Sequence, residues 1–348
     1  MCDSSGKSLF AWGANSHGQL AVGKESEMEA VPVRVDTSFL EADVRQICGG
    51  GGHTLILDTT GQVYACGWNN RGQLGLNDEE NRSIFTKLPQ EVFRGRKIGS
   101  IACGWDSSAA VTVDGELFMW GSNQFGQFCW INTKELSESN TPTMIPAPQR
   151  VSKVAFGLRH ACILTEDGDL YLSGKSKCVP EGFLRLAGEK ITDISTGQHH
   201  FVYRTISGAI QTRGDNKFNQ LGDDSLEEFK SKAAELRCGW THSGFLTNTG
   251  EIFLWGRNSY GQIGQHSDAS VAIPSPLSVQ EEIREFHLGS EHGLCVTKSG
   301  DVLTWGWNEH GNCGNGDTRD LFKPQKVSLP GKCRVAGVGA GFCFCLIT

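Results

Sequence analysis

The strongest constraint on this chain is a distance that does not vary. Six times a glycine opening a short G-x-x-H-like stretch is followed 17 residues later by a second glycine: Gly50 to Gly67, Gly104 to Gly121, Gly157 to Gly174, Gly197 to Gly214, Gly239 to Gly256 and Gly289 to Gly306. A single inserted residue would turn every following strand side chain to the opposite face, so an interval held this strictly is a rigidly paired unit. Within it, AAVTVDGELFMWG (109–121) places alternating apolar residues on both sides of Asp114-Gly115, and CILTEDGDLYLSG does the same around Asp167-Gly168. These are β-hairpins, and Asp-Gly predicts mirror-image turns with positive φ. Gly61, Gly208, Gly250 and Gly300 occupy the same slot in the other copies.

The second glycine belongs to a motif of its own. Its copies read WGANSHGQL from Trp12, CGWNNRGQLG from Cys66, WGSNQFGQF from Trp120, RGDNKFNQLG from Arg213, WGRNSYGQIG from Trp255 and WGWNEHGNCG from Trp305, with a worn seventh, SGKSKC, from Ser173. A period of about 40–54 residues is that of propellers, solenoids or arrays. The last G-x-x copy, VGAGFCFCLIT, stops after one strand, whereas the chain begins on SLFAWG, a strand lacking its partner. Pairing the two completes a seventh hairpin and removes two open edges. The expectation is an all-β fold, one seven-bladed β-propeller over residues 9–348 closed by its N- and C-terminal strands, after a short tail at 1–8. The 44 glycines then punctuate repeats, and a length of 348 residues that would suit two domains is one ring. The arms between hairpins vary: those after Gly174 and Gly214 are short enough to lose an outer strand, and the arm from Phe128 to Arg150 is expected to protrude.

Chemistry is constrained mainly by exclusion. The net charge of -7 is dispersed without a basic cluster, which argues against a direct nucleic-acid footprint. No apolar run approaches membrane-spanning length, and MCDSSGKSLFAWG lacks a secretory pattern. The expected setting is therefore reducing and cytoplasmic, with the nucleus open. Thirteen Cys, without C-x-x-C, read as buried structural thiols. There is no G-x-x-x-x-G-K-[ST], no G-x-S-x-G and no H-E-x-x-H. Hence no catalytic residue, metal ligand or cofactor is assigned. His53, His160, His200, His242 and His292 recur once per blade, as folding parts do, and are read as hydrogen bonds between neighbouring turns. Trp12, Trp120, Trp255 and Trp305 are read as inter-blade packing.

The paired signatures G-x-x-H-[ST] and WG-x-N-x-x-GQLG resemble the RCC1 repeat, named for the regulator of chromosome condensation, over essentially the whole chain. Details such as GGGGH, CGWD, GLRH, GWTH and GSEH resemble the secretion-linked guanine-nucleotide exchange branch of that family. Ser107 and Phe342 depart from the pattern by replacing the repeat His. The resemblance implies an RCC1-type propeller that binds a small Ras-superfamily GTPase, or an exocyst or other secretory-machinery protein, as a monomer without membrane insertion; exchange activity and a pure scaffold role both stay open. Plant relatives carry a light-sensing tryptophan cluster on G-W-x-H; here only Trp240 stands in the full pattern, with Trp105 in a broken copy three blades away. Residues that differ from blade to blade beside these motifs are the candidate interface: Asp106, Arg159, Asp215, Thr241, Glu291 and Glu309. The resemblance implies that Asp106, Asp215 and Glu291 would compete with phosphate or Mg²⁺ for residues of the GTPase.

Overall fold

A computed structural model describes residues 7–131, 133–179 and 182–348. Seven antiparallel sheets succeed one another along the chain. Blades one to six span residues 44–87, 98–145, 151–186, 191–214, 233–276 and 283–326, and the seventh combines 333–347 with 8–35. In that seventh blade Ser8–Ala14 pairs antiparallel with Phe342–Ile347, Ser8 opposite Ile347 and Gly13 opposite Phe342. The ring is closed as expected. Ser8, placed in the expected tail, already opens the first strand, and residues 1–6 lie outside the described residues.

The fixed interval is the second and third strand of each blade. In blade two, Ser107–Thr112 runs against Leu117–Ser122, with Ser107 opposite Gly121. The connecting turn differs from the mirror-image form. Gly115 N–H donates to the Thr112 carbonyl (3.0 Å) and Thr112 N–H to Glu116 O (2.9 Å), while only Gly115, at φ +80°, is left-handed. Three residues, 113–115, therefore span the turn. This is the three-residue loop that ends on a left-handed glycine, and the Asp before it keeps negative φ.

Short arms have unequal consequences. Blade three retains a four-residue outer strand, Phe183–Leu186, whereas blade four has three strands and a 3-10 turn, Asp224–Phe229, in place of the fourth. The long arm is less of a protrusion than expected. Phe128 is fully buried, and Glu138–Ile145 is the outer strand of blade two.

Blades are joined by a relay that explains most repeated residues. The carbonyl of the motif Gln accepts the indole N–H of the following blade's Trp: Trp120 on Gln73 (2.9 Å), Trp255 on Gln220 (3.0 Å) and Trp305 on Gln262 (2.8 Å), with Trp12 on Asn312 (2.9 Å). The residue after the repeat His supplies a second donor, as Ser108 to Gln73 O (2.7 Å) and Ser243 to Gln220 O (2.9 Å). That same hydroxyl meets the preceding blade's histidine: His53 Nε2 to Ser108 Oγ, 2.9 Å, and His200 Nε2 to Ser243 Oγ, 2.8 Å. Where the slot holds Phe201 or Gly293, the rings of His160 and His242 have no hydrogen-bond partner among the described residues. The motif Asn, buried except at Asn216, staples its own loop, Asn69 Oδ1 accepting Leu74 N–H (2.9 Å) and Asn258 Oδ1 accepting Ile263 N–H (2.9 Å). Apolar clusters fill the joints; Leu55 and Leu57 of blade one pack with Ile98, Phe118 and Trp120 of blade two. The Cys333 and Cys345 sulfurs lie against each other within the closing blade, unlike the separate thiols expected.

Two outcomes follow for stability. Trp255→Phe leaves the Gln220 carbonyl one donor short and a gap beside it, costing about 1–3 kcal/mol in urea denaturation. Burial holds His53, His160, His200 and His242 down to about 3 and His292 to about 4. The unfolded chain takes up those protons below about pH 6.5 and the folded chain does not, so stability is full above that pH and falls as the pH drops towards the folded values. In denaturation series at pH 7, 6 and 5, His160→Phe, which copies Phe342, should flatten the loss, by a slope that approaches about 1.4 kcal/mol per pH unit as the pH falls below 6.5.

Candidate functional site

One backbone contact, repeated in all seven blades, brings the variable positions together. The carbonyl of the residue before the repeat His accepts the N–H of the residue after the motif Gly: Gly52 from Trp68, Asp106 from Ser122, Arg159 from Lys175, His199 from Asp215, Thr241 from Arg257, Glu291 from Trp307 and Gly341 from Ala14, at 2.8–3.0 Å. Only glycine permits that approach. Gly67 has φ +99°, and a Cβ there would overlap the Gly52 carbonyl. The leading glycine is required differently: on Gly157 a Cβ would overlap the His160 ring folded over it.

Trp68, Thr241, Arg257, Glu291 and Trp307 of this set line a cavity of about 630 Å³ that also draws on blades two, four and seven, whereas Asp106, Arg159 and Asp215 do not line it. Trp68 packs on His17 with ring centroids 4.8 Å apart, and Trp307 on His310 at 5.2 Å. Trp105 meets Trp240 at 5.4 Å. Three blades of sequence separation thus become a direct ring contact. Arg257 lies over Phe218 (4.8 Å) and Tyr260 (4.7 Å).

The six candidates divide by exposure. Arg159 and Glu309 face solvent, Arg159 stacking 4.5 Å over Phe125. Glu309 lines the cavity. Asp215 is ion-paired with Lys177 (2.6 Å). Asp106 is half-buried, and that burial raises its carboxyl above the usual range. Thr241 and Glu291 are each 7% exposed and face one another. The Thr241 hydroxyl donates to Glu291 Oε1 (2.8 Å), Gln262 Nε2 donates to Oε2 (2.6 Å), and Arg257 Nη1 lies 3.6 Å from Oε1. Burial also pushes the Glu291 carboxyl up, against these partners. Glu291 therefore clasps blade six to blade five, the joint where His242 lacks its bond.

Reasoning from the motifs overlooked Trp68, Arg257 and Trp307, which occupy the slot immediately after the motif Gly. Their signal was available, because that slot is as variable as its neighbours. Glu291→Ala should strand Thr241, Gln262 and Arg257 and lower stability by about 2–4 kcal/mol. Arg159→Ala and Glu309→Ala should each stay within about 0.5 kcal/mol, as read by thermal and urea melts.

Comparison with known proteins agrees with this geometry. The family model described as the RCC1-like domain matches residues 8–347. The ultraviolet-B receptor UVR8 of Arabidopsis thaliana is 33% identical over 285 residues, covering 75% of this chain and 63% of its own. The secretion-regulating guanine nucleotide exchange factor of Bos taurus is 32% identical over 295 residues, covering 74% of this chain and 61% of its own. The chain thus spans less than two thirds of either relative. Prp20p of Saccharomyces cerevisiae superposes with a TM-score of 0.87 at 21% identity, covering 98% of this chain and 91% of that one, a likeness of fold.

Proposed function

Since the chain belongs to the RCC1-like domain family, we propose that its cavity-bearing face binds a small Ras-superfamily GTPase and speeds release of the guanine nucleotide, in a pathway linked to secretion. The observation that carries this reading is that a backbone contact common to all blades sets the blade-specific side chains of blades one, five and six around one cavity. A frame that repeats while its rim varies is suited to recognising a protein surface. Support also comes from a relative named as a guanine nucleotide exchange factor, and from Prp20p, whose structure is described together with its binding to Gsp1p and histones.

Exchange makes and breaks no covalent bond. The propeller would favour the nucleotide-free GTPase over the loaded one, and that difference in affinity is the whole driving force. Arg159 and Glu309 are the exposed charged candidates for direct contact, whereas Thr241 and Glu291 hold the rim in shape. We place this activity in a monomer in the cytoplasm, with the nucleus open.

A second reading, a scaffold for exocyst or other partners without exchange, draws on a specific observation. Of the acids offered to compete with phosphate, Glu291 is saturated by internal partners and Asp215 is paired with Lys177. The two readings separate when the protein is mixed with a panel of small GTPases loaded with fluorescent GDP. Exchange predicts accelerated release for at least one, reduced about tenfold or more by Arg159→Ala with Glu309→Ala at unchanged melting temperature. Release at the background rate across the panel rejects exchange in favour of the scaffold.

A further inference from the structure

The nine tryptophans sort into two sets of four and one left over. Trp12, Trp120, Trp255 and Trp305 are fully buried, with each indole N–H spent on a neighbouring blade. Trp130 packs against Tyr171 and Phe183 on the side of the ring. The remaining four, Trp68, Trp105, Trp240 and Trp307, are all half-buried and all line the 630 Å³ cavity. Among the described residues none of their indole N–H groups meets a protein acceptor. Packing between blades does not account for this second set, because each blade joint is already served by its own loop carbonyl and core cluster.

We propose that this cavity receives an arginine side chain projecting from a protein partner. Indole faces carry negative potential and attract a cation, a guanidinium most readily because it also stacks flat. The cavity wall already contains a cation over aromatic rings: the Arg257 guanidinium lies over Phe218 and Tyr260 at under 5 Å. That internal cation is neutralised by Glu291. Glu309, in contrast, is exposed at the mouth beside Trp307 without an ion-pair partner among the described residues. The mouth therefore presents unspent negative charge next to aromatic faces. His17 adds no opposing charge, since burial lowers its ring below the usual range despite Glu25 nearby. The volume falls within the roughly 300–1,000 Å³ of small-ligand sites, enough for one side chain and the backbone on either side of it. Backbone carbonyls there would meet the free indole N–H groups.

This inference rests on the proposal that the face engages a protein partner, but its test needs no GTPase. The full chain, labelled with ¹⁵N at tryptophan, is titrated with capped Gly-Arg-Gly and with the same peptide carrying citrulline, the neutral shape-mimic of arginine; indole resonances are assigned by single Trp→Phe variants. Saturable shifts are expected at Trp68, Trp105, Trp240 and Trp307 with the arginine peptide, the four core indoles staying still. The citrulline peptide should bind at least about tenfold more weakly, a difference that Glu309→Gln narrows while leaving the core resonances in place. Equal binding of the two peptides, shifts centred on other indoles, or no saturable shift up to the solubility limit would each overturn the inference. None of those results bears on nucleotide release, which the GTPase panel reads separately.

Discussion

The fold depends on one backbone oxygen per joint. The carbonyl of the loop Gln, or of Asn312 in blade six, stands where two blades meet and takes the next blade's indole N–H together with a second donor from the strand beside it. A carbonyl has two lone pairs, and a buried one left short costs free energy. Satisfying both from the neighbouring blade sets the distance and angle between sheets more narrowly than apolar contact alone. The Gln side chain holds the oxygen in place by accepting an N–H two residues earlier, as Gln73 does from Arg71 at 2.8 Å. The Asn four residues before it fixes the other end of the loop. A six-residue motif thus orients one atom.

Worn joints show how much substitution that arrangement tolerates. Cys66 and Ser173 stand in tryptophan slots and still reach the carbonyl, at 3.4 and 2.9 Å. Ser107 replaces a histidine and turns its hydroxyl to Ser122 O instead. The joint between blades five and six loses its histidine bond at Gly293, where a Cβ would overlap the Trp305 ring, and recovers polar contact through Glu291. Repeats decay in sequence faster than in geometry.

Legibility in the sequence followed the range of the interaction. The hairpin, the blade number and the ring closure were readable because each rests on spacing along the chain, and the 17-residue interval leaves no freedom there. The turn at Asp114-Gly115 was misread by one residue, because the dipeptide marks the left-handed position without showing that Val113 belongs to the loop. Arg159 and Glu291 look alike in the sequence, each the residue before a repeat histidine. One is exposed and the other buried, since only Glu291 meets Gln262 and Arg257 from the preceding blade. The contact of Trp105 with Trp240 was hidden for the same reason: blades two and five are distant in order, and a ring turns their inner turns towards a common axis.

The seventh blade, assembled from strands at opposite ends of the described chain, has a consequence for how the molecule is made. Ser8–Ala14 is made before every other described strand of the ring, and its partner Phe342–Ile347 after all of them. Until then the nascent chain carries two unpaired strand edges and an unfilled gap in the ring, the kind of surface on which strands of other chains pair. Six blades can condense from local hairpins as they appear. The last joint needs a contact spanning nearly the whole sequence, the slowest class of event for a folding chain. Until its last strand is made, the ring is open to strand pairing with other chains.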